Sequence, residues 1–269
     1  MAVPDKIGLI AGSGNLPIHF ARLAKREGFF LATAAIKGAA SPSLNSLSNS
    51  IQWLSVGQIG ALLTFFKGQG VRKVVLHGKV AHASLFRGLR LDFKALSLWA
   101  SLEDRSGEGL LKGLAGELEK NGIKVMDGRF LMADLLAPKG FLTRRKPGKE
   151  DEKSARYGIR QAKGSAKMGL GQTVLVKANA VVAIEAMEGT DQAVLRAGKL
   201  AGPGVILAKA SSPHQDWRFD IPTVGPATVK SLARSKGRGM VLEAGKVFIL
   251  DLEKTIAAAE KTGLFILAV

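Results

Sequence analysis

Two acidic clusters in the second half of the chain have residue types and spacing suited to phosphate chemistry. The first lies in the segment 209–225, which follows the apolar run 205–208 and holds Asp216 and Asp220 between two prolines. Proline favours extended or turn conformations, so this segment is predicted to be a stiff loop after a buried strand. Such a loop can hold charged groups for chemistry. It can equally be a surface turn whose aspartates cap helices, and local composition leaves both interpretations open.

The second cluster, Glu185-Ala-Met-Glu-Gly-Thr-Asp191, closes another apolar strand. Carboxylates in this position suit a hard cation or a general base. Alternatively, Thr190 or Asp191 is the N-cap of the helix that follows. Paired carboxylates with Mg²⁺ suit phosphoryl chemistry, and Lys209 and Arg218 could neutralise a diphosphate. The histidines lack zinc spacing, and we interpret two of them, His19 and His77, as structural.

A glycine-rich turn, Gly12-Ser-Gly14, follows the first predicted strand at 7–11. The dinucleotide fingerprint requires glycine where this chain has Pro17, and the second strand, 29–36, has no acidic residue at its end. These departures disfavour NAD. The backbone amides of the turn and of the following helix still form a candidate phosphate site, and the alternative is a simple tight turn.

The elements that would position these residues alternate between strand and helix over the first 125 residues. This pattern predicts a parallel sheet covered by helices. A segment at 82–101 has apolar residues at helical spacing and suits either a core-facing helix or contact with a membrane or acyl chain. Glycine and proline in a charged stretch place a domain boundary near 137. The second half is predicted as helices at 152–168, 191–199, 223–235 and 252–263, with β structure at 173–186 and 239–251 and a last strand at 264–269.

Composition limits the function classes. The chain has 269 residues, 46% of them hydrophobic, and no cysteine, which excludes disulfides and Cys-ligated metals. The net charge of +17 favours anionic partners, but no nucleic-acid-binding signature is present and aromatic residues are only 6%. No apolar run reaches the roughly 18 residues of a spanning helix. We therefore expect a cytosolic protein that at most contacts a membrane surface.

Taken together, several segments resemble the bacterial UDP-2,3-diacylglucosamine pyrophosphatases of the LpxI type. They follow in order along nearly the whole chain, and the EGTD and RFDxPxxG segments are the most specific in combination. The matching segments are Ile10-Ala-Gly-Ser-Gly-Asn-Leu-Pro17, Gly57-Gln58, Gly78-Lys-Val80, Glu185-Ala-Met-Glu-Gly-Thr-Asp191, Lys209 and Gln215-Asp-Trp-Arg-Phe-Asp-Ile-Pro-Thr-Val-Gly225.

The resemblance implies an α/β protein with an N-terminal Rossmann-like parallel-sheet domain, 1–137, and a C-terminal catalytic α/β domain, 138–269, with substrate between them. It implies Mg²⁺-dependent hydrolysis of UDP-2,3-diacylglucosamine to UMP and 2,3-diacylglucosamine 1-phosphate in lipid A synthesis. The expected location is cytoplasmic and peripheral on the inner membrane, without nucleic acid and with a homodimer possible. The alternative is a non-catalytic nucleotide- or nucleic-acid-binding protein.

The family's catalytic aspartate corresponds to Asp220. With the residue chemistry above, the resemblance predicts Asp220 and Asp191 as catalytic and metal-binding residues. It predicts a substrate-binding set of Gly12, Ser13, Gly14, Asn15, Gly78, Lys79, Glu188, Gly189, Thr190, Lys209, Gln215, Arg218 and Thr223. The chain departs from the family at Ser106-Gly-Glu108, where members often have Gly-Asp-Asp, and at Ser212, where they often have lysine.

Overall fold

The structure is a computed structural model that describes residues 4–79, 92–104 and 106–269. The chain forms two compact units. The first contains the residues up to Met132 together with Trp217–Phe219. The second contains Ala133–Asp216 and Asp220–Val269. The acidic loop 209–225 therefore belongs mainly to the second unit but lends three residues to the first.

A parallel five-stranded sheet in the order β3-β2-β1-β4-β5 forms the centre of the first unit. The strand order reverses direction at β1 and β4, so the turns that follow these two strands lie side by side. The elements are β1 Lys6–Ala11, α1 Leu16–Arg26, β2 Phe30–Ile36, β3 Ser50–Leu54, α2 Ile59–Gly68, β4 Lys73–His77, α3 Phe93–Ser101, α4 Gly107–Lys120 and β5 Lys124–Val125. The predicted parallel sheet covered by helices is confirmed.

Local sequence explains why the central elements form where they do. In β1 every residue after Lys6 is buried, as expected for a strand covered on both faces. Helix α1 begins with a proline in its first turn and buries Phe20 and Ala24 on one side. It ends before Gly28, whose φ of +77° is the left-handed conformation that terminates helices.

The helix predicted at 82–101 is described only from Phe93 onward, and residues 82–91 lie outside the described part of the chain. Its N-cap is Asp92, whose carboxylate accepts hydrogen bonds from the backbone N–H groups of Ala95 and Gly60. Phe93 and Leu96 are exposed, while Ala95 is buried. Leu98 and Trp99, further along the helix, are half-buried.

The second unit is built on a mixed six-stranded sheet in the order β6-β13-β11-β9-β7-β8. Strands β9, β11 and β13 are parallel to one another, and β6, β7 and β8 are antiparallel to their neighbours. A separate parallel pair joins β10 and β12. The elements are β6 Gly140–Phe141, α5 Lys149–Lys167, β7 Thr173–Lys177, β8 Ala180–Ile184, α6 Thr190–Ala201, β9 Ile206–Lys209, β10 Thr223–Val224, α7 Pro226–Arg234, β11 Gly239–Leu242, β12 Phe248–Ile249, α8 Leu252–Lys261 and β13 Phe265–Ala268.

Helices cover both faces of this sheet. Ala155 and Ile159 of α5 pack with alternate residues of β7 and β9 in one apolar cluster. Val194 of α6, Leu232 of α7 and Ala259 of α8 pack in the other. The predicted helix at 223–235 is wrong in its first turn. There, Thr223 and Val224 pair with β12, and the helix begins at Pro226 because proline suits a first helical turn. Within the described residues, no helix combines the length and apolar character needed to cross a membrane.

Candidate functional site

Asp220 is the exposed carboxylate of the loop between β9 and β10. Its backbone N–H donates to the carbonyl oxygen of Asp216 at 3.3 Å, which closes a turn. Its side chain is held by two glutamines of the second unit. The amide of Gln172 donates to Asp220 Oδ2, and Gln215 Nε2 donates to the same oxygen at 3.2 Å and to the Asp220 carbonyl at 2.8 Å. Both side-chain contacts fall on Oδ2.

The other carboxylate oxygen, Oδ1, receives no hydrogen bond from any described residue. An exposed carboxylate oxygen with free lone pairs can accept a hydrogen bond from water or bind a hard cation. Asp220 therefore has one oxygen held by the protein and one available for chemistry. The catalytic role of Asp220 stays a prediction.

The segment that delivers Gln172 to this position depends on a glycine. Gly171 has a φ of +151°, and a Cβ there would overlap the carbonyl oxygen of Glu185. The next residues enter the sheet, where the Glu185 N–H donates to the Thr173 carbonyl and the Ala210 N–H donates to the Gln172 carbonyl. Gln172 was missed in the sequence because it lies 48 residues from Asp220 and belongs to no recognisable motif.

Lys209 lies at the end of β9 with only 5% of its surface exposed. Its ammonium donates to the hydroxyls of Thr173 and Thr190, both at 2.8 Å, and forms an ion pair with Glu185 at 3.3 Å. Thr190 in turn donates to Glu185 Oε2 at 2.9 Å. The predicted role of Lys209 was to face diphosphate oxygens. The structure places its ammonium in a buried network that joins β7, β9 and the start of α6.

Glu185 is ionised in this network. Burial by itself raises the pKa of its carboxyl, but the Lys209 charge and the hydroxyls of Thr173 and Thr190 outweigh that effect and leave the pKa below its ordinary value. A buried charge of this kind is stable only while its partners remain. We therefore interpret Lys209 and Glu185 as a structural ion pair at the first residue of the second acidic cluster.

The residue that caps the N-terminus of α6 is not one of the two that the sequence predicts. The N-cap is Gly189, with a φ of +82°, and neither Thr190 nor Asp191 has that position. Glu188 forms an ion pair with Arg196, which holds the pKa of its carboxyl below its ordinary value. Asp191 lies in the first helical turn, where a carboxylate interacts favourably with the helix dipole. Its Oδ1 is buried without a hydrogen-bond partner among the described residues.

In the first unit, the turn after β1 is locked to the turn after β4. Gly12 N donates to the His77 carbonyl, and Ser13 donates to the Lys79 carbonyl through both its N–H and its hydroxyl, all at 2.8 Å. Lys79 N donates back to the Ser13 carbonyl at 3.1 Å. The N–H groups of Gly12 and Ser13 are therefore already occupied by the neighbouring turn. The phosphate site predicted for 12–15 is limited to Gly14, Asn15 and the start of α1, where Pro17 has no N–H to offer.

Glycine is required at two places in these joined turns. A Cβ at Gly12 would lie 2.7 Å from the Lys79 carbonyl oxygen, and a Cβ at Gly78 would lie 2.5 Å from the Ser13 carbonyl oxygen. Gly78 also has a φ of +89°. The glycines predicted to bind substrate therefore have a structural reason to be glycine, whether or not substrate approaches them.

His77, which precedes Gly78, is buried, and its ring centroid lies 5.1 Å from that of Phe20. Its Nε2 has no hydrogen-bond partner among the described residues. Burial lowers the pKa of His77 to about 3. The imidazole is therefore neutral at physiological pH, in agreement with a structural role.

Three residues in the middle of the acidic loop pack within the first unit. The Trp217 carbonyl accepts a hydrogen bond from Gly128 N at 2.8 Å, and the Arg129 guanidinium lies 4.3 Å from the Trp217 ring centroid. Phe219 packs against the apolar core of that unit. Arg218, predicted to contact phosphate, lies 3.5 Å from Glu119. Thr223, also in the predicted set, starts β10 and donates its hydroxyl to the Ile221 carbonyl.

A metal site would have to use few protein ligands. Among residues 4–79, 92–104 and 106–269, no group of three or more His, Asp or Glu side chains could hold a metal ion. Mg²⁺ is usually bound by one or two carboxylates, with water and substrate phosphates completing the coordination. The available oxygen of Asp220 fits that mode, and the unpartnered oxygen of Asp191 is a second candidate ligand.

Comparison with solved structures gives distant matches to biotin carboxylases. The chain is 13% identical to a biotin carboxylase from Campylobacter jejuni, with a TM-score of 0.28. The match covers 72% of this chain and 42% of the carboxylase. A biotin carboxylase domain from Hydrogenobacter thermophilus is 12% identical, with a TM-score of 0.27, over 75% of this chain and 43% of that one. The chain spans less than half of these structures, and such scores carry no argument about fold or function.

Comparison with family models and curated sequences is decisive. Residues 6–135 match the LpxI N-terminal domain, and residues 138–267 match the LpxI C-terminal domain. The UDP-2,3-diacylglucosamine pyrophosphatase LpxI of Caulobacter vibrioides is 31% identical over 275 residues, covering 98% of this chain and 97% of the relative. The chain therefore belongs to the LpxI family.

Proposed function

We propose that this protein hydrolyses the pyrophosphate bond of UDP-2,3-diacylglucosamine to UMP and 2,3-diacylglucosamine 1-phosphate in lipid A synthesis. The Caulobacter relative, similar over almost its whole length, carries that activity in its name. The observation that supports the chemistry in this chain is the Asp220 carboxylate, with one oxygen held by the protein and one available.

Hydrolysis of a phosphoric anhydride requires an aligned water molecule and neutralisation of the charge on the phosphates. The water oxygen would form a bond to phosphorus while the bridging P–O bond breaks, and the proton of the water would pass to Asp220 Oδ1. Asp220 Oδ1 would accept the hydrogen bond of the attacking water and orient it. UMP would leave with the bridging oxygen, and the lipid would retain the other phosphate.

We also propose that the reaction depends on Mg²⁺, held by Asp220 together with substrate phosphates and with Asp191 as a second candidate ligand. The cation would neutralise charge on the diphosphate. Lys209 has no role at the diphosphate in this scheme, because its ammonium is paired with Glu185. The strand order of the first unit supports a Rossmann-like fold, whose turns at 12–15 and 78–79 are candidates for contact with substrate.

Peripheral contact with an anionic membrane is a further part of the proposal. The net charge is +17, and Met168, Leu170 and Met187 of the second unit are 68%, 53% and 86% exposed. The segments that carry them touch at Gly171 and Glu185. Basic surface with exposed apolar side chains suits the interface of anionic lipid. Cosedimentation with phosphatidylglycerol vesicles, but not with phosphatidylcholine vesicles, is expected.

A direct assay tests the activity. The purified protein is incubated with UDP-2,3-diacylglucosamine, and UMP is measured by chromatography with Mg²⁺ and with EDTA. UMP should form with Mg²⁺, and chelation should abolish its formation. Salt-sensitive binding to random DNA without turnover would instead favour a non-catalytic nucleic-acid-binding protein.

A further inference from the structure

We propose that Gln172 and Gln215 act as positioning residues that hold Asp220 in its reactive orientation. We name this pair of side chains the amide clamp. The proposal rests on the proposed function, because that function gives Asp220 its chemical task. Neither glutamine needs to touch substrate for the clamp to work.

The first argument is that both glutamines select the same oxygen. A solvent-exposed aspartate rotates about its χ angles, and its two oxygens are chemically equivalent until something distinguishes them. The amides of Gln172 and Gln215 both donate to Oδ2. This fixes the plane of the carboxylate and directs Oδ1 outward, so the entropy of orienting it is lost before substrate binds.

The second argument is the neutrality of the donors. A lysine or arginine in contact with Oδ2 would orient the carboxylate but would also neutralise much of its charge. A neutral amide orients the group and leaves its negative charge available for the proton of a water molecule or for a cation. The nearest cation by sequence, Arg218, lies 3.5 Å from Glu119, and Lys209 is engaged with Glu185 and two threonine hydroxyls.

The third argument is that the orientation of the Gln215 amide is determined by its surroundings. Its Oε1 accepts a hydrogen bond from the Ser212 backbone N–H at 3.1 Å. A backbone N–H can only donate, so the carbonyl end of the amide must face Ser212 and the NH₂ end must face Asp220. The NH₂ group then donates to both the carbonyl and the carboxylate of Asp220.

The fourth argument is the rigid attachment of Gln172. It precedes β7, and its carbonyl accepts a hydrogen bond from Ala210 N at 3.0 Å, on the residue after β9. Gly171 allows the chain to pass against the Glu185 carbonyl just before it. The amide clamp therefore connects an exposed loop to the ends of the interior strands β7 and β9, and a rigid element of this kind suits the support of a catalytic group.

Replacement of Gln172 by leucine tests the clamp with little change in size. We expect kcat to fall about 10- to 100-fold, because loss of alignment of this order is typical when a reacting group shifts by about 1 Å. KM should change by less than about threefold, since substrate contacts remain. Gln215→Leu should act in the same direction. Gln161→Leu, a half-buried glutamine of α5, is the matched control and should retain wild-type turnover.

The double variant with Asp220→Asn separates positioning from general structural damage. If Gln172 acts through the Asp220 carboxylate, Gln172→Leu should cause no further loss in the Asp220→Asn background, measured in single turnover with enzyme in excess. Thermal unfolding of each variant confirms that the fold is intact. If Gln172→Leu fails to fold, Gln215→Leu provides the same comparison.

The outcomes distinguish the two proposals. Wild-type turnover by Asp220→Asn overturns the proposed role of Asp220, and the clamp with it. An inactive Asp220→Asn with wild-type kcat for folded Gln172→Leu and Gln215→Leu overturns the clamp alone. A raised KM with unchanged kcat also overturns it, since that result assigns the glutamines to substrate binding. An equal loss from Gln172→Leu in both backgrounds contradicts action through Asp220.

Discussion

The two predicted parts of the site are built by different means. In the first unit, the turns at 12–15 and 78–79 are joined mainly by backbone hydrogen bonds, and glycine lets the two chains approach. In the second unit, the acidic loop and its neighbours are organised by side chains: two glutamines, a buried lysine and two threonines. The first arrangement consumes its own donors. The second leaves a carboxylate oxygen available, and this difference is the reason why we propose Asp220 as the catalytic residue.

The largest expected effect is on the side-chain network of the second unit. Lys209→Met removes the charge that compensates Glu185 and leaves a mostly buried carboxylate without its cation. Breaking a buried pair in this way costs about 3–5 kcal/mol of unfolding free energy. Urea unfolding measures it, and Lys199→Met on the exposed side of α6 is the matched control, with less than about 0.5 kcal/mol expected. A similar small loss for both variants would show that the pair does not support this unit.

A smaller loss is expected from the backbone contact of the first unit. Gly78→Ala introduces a Cβ 2.5 Å from the Ser13 carbonyl at a φ of +89°. We expect a loss of about 2–3 kcal/mol, from strain at positive φ and from separation of the two turns. Gly14→Ala is the control, because Gly14 has a φ of +94° but open space around it, and should lose only about 1 kcal/mol. Equal losses would mean that the close approach of the turns contributes nothing.

The smallest expected effect is a pH dependence of the unfolding free energy that arises in the first unit. The pKa of His77 is about 3 in the folded protein and near 6.5 when unfolded, so only the unfolded state binds this proton between those values. Stability therefore falls as pH drops below 6.5, by up to about 1.4 kcal/mol per pH unit and about 2 kcal/mol by pH 5. His77→Leu should remove this slope in urea unfolding at pH 5 to 7.

Glu185 responds in a different pH window. Its folded pKa lies below its ordinary value of 4.5, so the stability it contributes is present above that value and is lost as pH falls through the folded pKa. Acid loss between pH 6.5 and 5 is thus assigned to His77 in the first unit. An unchanged slope in His77→Leu would contradict this assignment.

The sequence alone predicted the structural features that depend on residues close together in the chain. The apolar runs of β1 and β4 and the glycine after α1 mark their elements because burial and positive φ are local requirements. Contacts between distant residues left no such pattern. Gln172 reaches Asp220 across 48 residues, and Lys79 accepts from Ser13 across 66. Lys209 is an informative case, because its charge suggested a phosphate ligand and only its burial shows that Glu185 is its partner.

The most direct test of the account is UMP release from UDP-2,3-diacylglucosamine by Asp220→Asn compared with the wild-type protein. The exposed Asp134→Asn of the same unit is the matched control, and circular dichroism verifies the fold. Loss of the charged oxygen should reduce kcat by at least about a thousandfold, as for other groups that act only in the transition state, while Asp134→Asn stays at the wild-type rate. Wild-type turnover by a folded Asp220→Asn would contradict the central claim.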